Sequence, residues 1–510
     1  MKQKTAVIDI GSNTIRLVIY DYEQDKGMKE IENIKTAARL RTYLDANGVM
    51  EREGIETLIT TLHAFKEIIE YHHLTDIRIA ATAAIRQAKN QLEIVKEVEE
   101  TTGFRVTILS ENEEAYYGYL AVVHTTPIDS AVTVDIGGGS TEVTYFENKQ
   151  LKYSHSFAFG VVSLKKDFMS GEKMTAEEKQ NLSRFLVQQF YLLPWLKNKN
   201  VPIIAIGGSA RNIALIDQHV RNYPIAGVHQ YWMTREALFT IKDELITMNR
   251  SQLEKLDGLS SDRIDIIAPS AEVFCQLYDV VQAKGFMFSR KGLRDGLMLK
   301  ELMSQFDAPL DREHVFQNSL KELSFEYSVD KESAEQMMYI ALELYEQLSE
   351  LGFFDYREDL LLLLKRGAYL YYLGEYIDSD SVSQHTFYLI ANRSIDGVLH
   401  RDRIKIAALA SFKNKSTLKQ FLVPFTSWFT KEEMQQMREL GALLKFAYSL
   451  NSSKRDIVKQ LEVGKNDSGL TITVYATGNT LAEEYQAEKQ KKHLEKSIKT
   501  TIDLVFIDIH

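Results

Sequence analysis

The chain has 510 residues, well past the roughly 250–300 at which a single hydrophobic core stops growing, so several domains are expected. With 45% hydrophobic and 26% charged residues and only 7 prolines, the composition excludes a disordered chain, and a formal charge of −10 argues against a general nucleic-acid or polyanion-coating role. Cys275 is the single cysteine, which excludes an intramolecular disulfide; no apolar run approaches the ~20 residues of a membrane span, and Asp9 interrupts the apolar N-terminal stretch, so a cytoplasmic protein without a membrane span is expected.

In chain order, the first element reads as a β-hairpin. Thr5 to Ile8 lead into Asp9-Ile-Gly-Ser-Asn-Thr, and apolar residues resume from Ile15 to Tyr20. Gly54 to Glu70 carries apolar residues at helical spacing (Ile55, Leu58, Ile59, Leu62, Phe65, Ile68, Ile69) and precedes the strand-like Ile77 to Ala81. The hairpin pattern then repeats at 131–140, with Asp135-Ile-Gly-Gly-Gly-Ser in register with the first loop and apolar residues resuming from Val143 to Phe146. One hairpin per half implies a duplicated α/β domain. A third glycine turn, Gly207-Gly208-Ser209, follows the strand-like Ile203 to Ile206 and leads into a helix over Asn212 to Asp217. A fourth turn, Gly292 to Gly296, precedes a helix over Leu297 to Met303, and Asp307-Ala308-Pro309 reads as a domain boundary. From about 311 to 460 amphipathic helical patterns dominate, for example Met337, Ile340, Ala341, Leu344, Tyr345 and Leu348. The last fifty residues hold two strand-like runs, Leu470 to Tyr475 and Thr500 to Ile507, around a charged helix, which predicts a small α/β appendage.

Glycine turns of this kind present successive backbone N–H groups to a concavity, and phosphate is the expected guest. Gly11, Ser12 and Asn13 in the first loop, Gly137, Gly138, Gly139 and Ser140 in the second, and Gly207, Gly208 and Ser209 in the third are the candidate phosphate contacts; Thr14 and Thr141 offer further hydroxyls. The third loop adds a helix N-terminus. The plain alternative is a set of hairpin turns each capped by an aspartate. A carboxylate beside phosphate is repulsive unless a cation intervenes, so Asp9, Asp135 and Glu142 are candidate ligands, direct or through water, of Mg2+.

Asp9-Ile-Gly-Ser-Asn-Thr-Ile-Arg16, Asp135-Ile-Gly-Gly-Gly-Ser-Thr-Glu142 and Gly207-Gly-Ser209, together with Ala81-Thr-Ala-Ala-Ile-Arg86-Gln-Ala88 and Leu109-Ser-Glu-Asn-Glu-Glu114-Ala115, resemble the motifs of the exopolyphosphatase and guanosine pentaphosphate phosphatase family. The resemblance implies two actin-like, ribonuclease H-like α/β domains over 1–125 and 126–306, an α-helical HD-like domain over 311–460 and a small α/β domain over 461–510. It also implies hydrolysis of the terminal phosphoryl group of polyphosphate or of guanosine pentaphosphate, with Glu114 as the carboxylate that deprotonates water and Arg86 as the guanidinium facing the phosphates. Arg16 closes the first motif and counts among the phosphate contacts; Arg263 and Arg294, expected on loops, are lesser candidates. A homodimer is expected by the same resemblance.

The HD-like region departs from a metal-binding HD pattern. Where that pattern carries its His-Asp pair the chain reads Ala368-Tyr-Leu-Tyr371-Tyr372-Leu-Gly374, which supplies neither imidazole nor carboxylate, so a second hydrolytic centre is not expected there. His385, in Gln384 to Ile390, is read as structural. His400, Arg401, Arg403, Lys405, Lys413 and Lys415 are weighed as a basic path for a long polyanion against an ordinary charged surface, and the surface reading is preferred.

Overall fold

The structure, a computed structural model, describes residues 2–23, 27–305, 312–467 and 469–509. Strands β1 (Lys2–Ile10) and β2 (Ile15–Glu23) pair antiparallel with Asp9 opposite Arg16 and Ile10 opposite Ile15. Their alternating residues split between two faces, as a period of two requires. Ala6, Ile8, Ile10, Leu17 and Ile19 join a core with the helix Arg52–Tyr71, while Val7, Val18 and Tyr20 pack on Met298 from the helix Leu293–Gln305. With β3 (Gly27–Thr36), β4 (Asp76–Ala81) and β5 (Val106–Ile108) they form a sheet of order β3-β2-β1-β4-β5, in which β1, β4 and β5 run parallel.

The second sheet repeats this plan. It contains β6 (Ala131–Ile136), β7 (Thr141–Glu147), β8 (Gln150–Phe157), β9 (Ile203–Ile206), β10 (Tyr231–Met233) and β11 (Phe286–Phe288), in the order β10-β11-β9-β6-β7-β8. β6 takes the place of β1, β7 of β2, β8 of β3, β9 of β4 and β11 of β5, with the same parallel and antiparallel pairings. The duplication read from the two Asp-Ile-Gly segments is therefore a duplication of whole sheets. β10 is an added antiparallel edge.

Two expected turns are helical. The helix after β9 starts at Gly207 rather than near Asn212, and the segment 292–296 lies almost wholly inside Leu293–Gln305. Gly296 is there for proximity, not for a turn: a Cβ on it would stand 2.0 Å from the carbonyl oxygen of Tyr117 on the helix Glu111–Thr125. Arg294 consequently sits on a helix, and Arg263 on a short 3-10 turn, Ser261–Arg263.

By contacts the chain divides into two compact units, Met1–Tyr223 with Gly227–Glu322 and Pro224–Ala226 with Leu323–His510. Both sheets above lie in the first. The second unit is helical (Lys331–Glu350, Glu358–Tyr369, Val382–Asn392, His400–Ala410, Lys415–Leu422 and Lys431–Ser449) until β12 (Val458–Lys465), β13 (Gly469–Ala476), the helix Leu481–Ile498 and β14 (Thr501–Asp508). β12, with sparse apolar alternation, was not foreseen; β13 and β14 are parallel and joined by the charged helix. Asp307-Ala308-Pro309 lies outside the described residues. Among the described residues no helix is long and apolar enough to cross a membrane.

The basic path across the helical unit is not present as drawn. Arg401 and Lys405 both pair with Glu433, at 2.6 and 3.0 Å, and His400 and Arg403 are 4% and 1% exposed. Their helix turns two of the expected surface cations inward, where Arg403 donates to the carbonyl of Arg393. Lys413 and Lys415 are exposed.

Candidate active site

The two hairpin loops close in the same way. Gly11 N–H donates to the Thr14 carbonyl at 3.0 Å, and Gly137 N–H to the Ser140 carbonyl at 2.9 Å. A Cβ on Gly11 would stand 2.9 Å from that Thr14 oxygen, so the tight closure needs glycine. The loops meet: a Cβ on Gly138 would lie 2.9 Å from Cβ of the buried Ser12. Beneath the second loop the helix Val161–Phe168 docks by N–H groups of Val161 and Val162 on the carbonyls of Gly137 and Gly138.

Gly160 makes that docking possible. A Cβ there would stand 2.5 Å from Gly137 O, Gly138 C and Gly139 N, three backbone atoms that cannot step aside. Gly160→Ala is expected to lower the melting temperature, by overpacking of about 1–3 kcal/mol, and to raise KM at least tenfold by displacing the second loop. Thermal unfolding and steady-state kinetics check this; unchanged values in both would mean the loop is not seated as described.

The third loop comes against the second through Asp135. Gly207 has φ of +89°, and a Cβ on it would lie 2.6 Å from Asp135 Oδ1. This is a position only glycine fills without strain. Gly208 is covered by the Arg263 guanidinium, and the buried Ser209 hydroxyl receives hydrogen bonds from Ser270 Oγ at 3.0 Å and Arg263 Nη1 at 3.4 Å.

Glu114 stands in the first turn of Glu111–Thr125, whose start is fixed by a capping box between Ser110 and Glu113. The box consumes Glu113 and leaves Glu114 to the site. Arg86 Nη1 donates to Glu114 Oε2 at 2.8 Å and to the Leu109 carbonyl at 2.9 Å, and both side chains are largely buried, at 14% and 16% exposure. Burial pushes the Glu114 carboxyl up to about 7; Arg86 opposes the rise, and Asp135 and Asp9 add to it. Burial, then Asp9, pushes Asp135 up to about 6, against Arg294 and Arg263. Glu142 is opposite Asp135 in the β6–β7 register, accepts a hydrogen bond from Ser156 Oγ at 2.9 Å, and is raised well above the usual range by burial and then by Glu114. Asp9 is committed differently, accepting from Arg294 Nη1 at 2.9 Å.

Four buried polar atoms have no hydrogen-bond partner among the described residues at this place in the sequence pattern: Arg86 Nε and Nη2, Asn13 Nδ2 and Thr14 Oγ1. Three of them are pure donors. Buried donors left open are costly, and an anionic ligand satisfies them. The acidic groups fit a cation. Asp135 and Asp9 raise the proton affinity of Glu114, Asp9 that of Asp135, and Glu114 and Asp135 that of Glu142, which places the carboxyls near one another. Among the described residues no three His, Cys, Asp or Glu side chains converge as a ready-made metal cage. Mg2+ commonly takes one or two carboxylates and completes its shell with water and phosphate oxygens.

Arg16 stands opposite Asp9 in the β1–β2 register, just past the first loop. Its Nη1 bonds Asn33 Oδ1 at 3.2 Å, and burial followed by Arg294 lowers its pKa. Arg41 is the residue the sequence did not signal. Its N–H holds the Ser12 carbonyl at 3.0 Å, its guanidinium lies over Gly139, and it hydrogen-bonds Gln87 Oε1. It lies in a 3-10 turn, Leu40–Tyr43, with no motif around it, and only the return of the chain after β3 brings it to the first two loops.

Two homologous sheets, three glycine loops around carboxylates, and a buried acid paired with an arginine define a phosphate-handling member of the actin-like fold. The sequence profile of the Ppx/GppA phosphatase family matches residues 18–305, and that of Ppx/GppA phosphatase domain III matches residues 315–496. The chain belongs to the Ppx/GppA phosphatase family, a family of hydrolases of phosphoric anhydrides. The Ppx/GppA family member of Aquifex aeolicus is similar over 60% of this chain and 99% of its own, with 26% identity and a TM-score of 0.54. An exopolyphosphatase from Cytophaga hutchinsonii shares the fold over 61% of this chain and all of its own, with 20% identity and a TM-score of 0.56.

Proposed function

We propose that the chain is an exopolyphosphatase, which releases orthophosphate from the end of inorganic polyphosphate by attack of water. The observation that supports this most is the pair of open buried donors on Arg86, which holds the Glu114 carboxyl, together with the open donor of Asn13 in the first glycine loop. Open donors of this kind suit phosphoryl oxygens, which are all that a polyphosphate end offers. In the reaction Glu114, as carboxylate, accepts a proton from water as its oxygen bonds to the terminal phosphorus. The bridging oxygen leaves with the shortened chain. Arg86 and the loop N–H groups hold the charge spread over the transferred phosphoryl oxygens.

Asp135, with Glu142 beside it, would hold Mg2+. When bound, the ion supplies charge neutralisation at the phosphate oxygens. Asp135→Asn is expected to raise the Mg2+ concentration for half-maximal activity at least tenfold, read in a metal titration; an unchanged titration places the metal elsewhere.

The pH profile follows from the Glu114 environment. The base acts deprotonated, so kcat/KM is expected to fall as pH drops through about 7. Because Arg86 lowers the carboxyl pKa, Arg86→Met is expected to move that limb to higher pH. A limb near the ordinary glutamate range in the intact protein would contradict the assignment.

Parallel assays of phosphate release from long-chain polyphosphate and from guanosine pentaphosphate, with and without Mg2+, test the substrate. Faster release from polyphosphate is expected. Preference for guanosine pentaphosphate would make the chain a 5′-phosphohydrolase of that nucleotide, and activity on neither would leave a non-catalytic binder.

A further inference from the structure

The second unit contains a cavity of about 300 Å3 that the phosphohydrolase chemistry does not use. Six tyrosines line it: Tyr327, Tyr369, Tyr371, Tyr372, Tyr376 and Tyr448. They form two groups of rings. Tyr371 and Tyr372 stack at 4.3 Å between centroids, each 5.2 Å from the Tyr448 ring, and Tyr327 meets Tyr376 edge-on at 5.6 Å. Tyr372 holds its place with φ of +57°, an unfavourable conformation for a bulky residue. Burial raises the phenol pKa of Tyr371 and Tyr372, and that of Tyr448 to about 12, so these rings stay neutral at physiological pH.

The charge of the lining selects among ligands. Asp330, Glu375 and Lys454 are its charged residues. Glu375 and Lys454 neutralise each other through a 2.8 Å ion pair. Asp330 is left, its carboxylate accepting N–H groups of Glu332 and Ser333 at the start of Lys331–Glu350. Neutral aromatic rings attract cations, and one carboxylate without an ion-pair partner among the described residues adds to that attraction while repelling an anion. A volume of this size suits a small molecule.

We propose that this tyrosine-lined cavity binds a small organic ammonium ion. The positive head lies among the tyrosine rings that line the cavity, with Asp330 as the balancing charge. The site is separate from the loops around Glu114, and its occupancy is read without any phosphatase assay.

Isothermal titration of the full chain with choline, with its neutral isostere 3,3-dimethylbutan-1-ol, and with adenosine tests the proposal. Choline is expected to bind in the millimolar range or tighter and the isostere at least about tenfold more weakly, because only the charge differs. Tyr448→Leu is expected to weaken choline about tenfold. Asp330→Asn, which preserves the helix N-cap and so the fold, is expected to weaken it about threefold. Equal binding of choline and its isostere, no choline binding at 10-fold excess over the ~1 mM scale expected of such cages, or adenosine binding tighter than choline would each overturn the proposal.

Discussion

Glu114→Gln is expected to lower kcat for phosphate release by about 10³-fold while leaving polyphosphate affinity within a few-fold of the unaltered protein. General-base catalysis by a positioned side chain contributes on the order of 10²–10⁴. Glutamine keeps the shape and can still accept from Arg86, but it cannot take a proton from water. The capping box that starts the helix uses Ser110 and Glu113, so this change does not touch it. Affinity is also expected to hold because a carboxylate, if anything, repels the substrate; removing it costs no attractive contact. A kcat within threefold of the original would remove Glu114 from the chemical step. A parallel loss of affinity and melting temperature would make it a structural residue.

Arg86→Met is the second large expected effect, a loss of about 10²–10³ in kcat/KM. The arginine's Nη1 holds Glu114 and the Leu109 carbonyl, while its buried Nε and Nη2 have no partner among the described residues and are left for a ligand's oxygens to satisfy. Guanidinium groups bind phosphoryl oxygens in pairs, and a donor aimed at developing charge is worth about 10²–10³ in rate. Arg86→Lys should recover part of the loss, since it restores charge without the planar fork. Kinetics separate the possibilities. A rise in KM alone would make Arg86 a ground-state contact, whereas a fall in kcat with the basic shift of the pH limb is the signature of a residue acting on both phosphate and Glu114.

The two Asp-Ile-Gly loops were legible because their constraints are local. Each has β-branched residues before the turn, a glycine whose N–H closes on the i+3 carbonyl, and apolar residues after it, all close together in the chain; in the first loop a Cβ on that glycine would stand 2.9 Å from the carbonyl oxygen. Glu114 and Arg86 were legible only by resemblance to a family motif. The Ser110-x-x-Glu113 spacing marks Glu113 as a cap partner, but nothing nearby distinguishes Glu114 from Glu111; what sets Glu114 apart is burial beside Arg86, Asp135 and Asp9, residues distant in the chain. Arg41 illustrates the limit. Its contacts with Ser12, Gln87 and Gly139 arise from chain return and loop apposition, which leave no periodicity to read.

Glycine misled where its role was space rather than turning. Gly296 lets two helices approach, and Gly208 makes room for Arg263, yet both resemble turn residues in one dimension. The basic residues from His400 to Lys405 failed for a related reason. Charge in sequence says little about direction, and the helix His400–Ala410 turns His400 and Arg403 inward and pairs Arg401 and Lys405 with Glu433.

The central claim is that water attacks the terminal phosphorus with Glu114 as base. Hydrolysis of polyphosphate in 18O-labelled water tests it most directly. One labelled oxygen is expected in each released orthophosphate and none in the shortened chain, with the rate of labelled release falling about 10³-fold in Glu114→Gln. Label found at the end of the remaining chain, or an undiminished rate of labelled release in that variant, would contradict it.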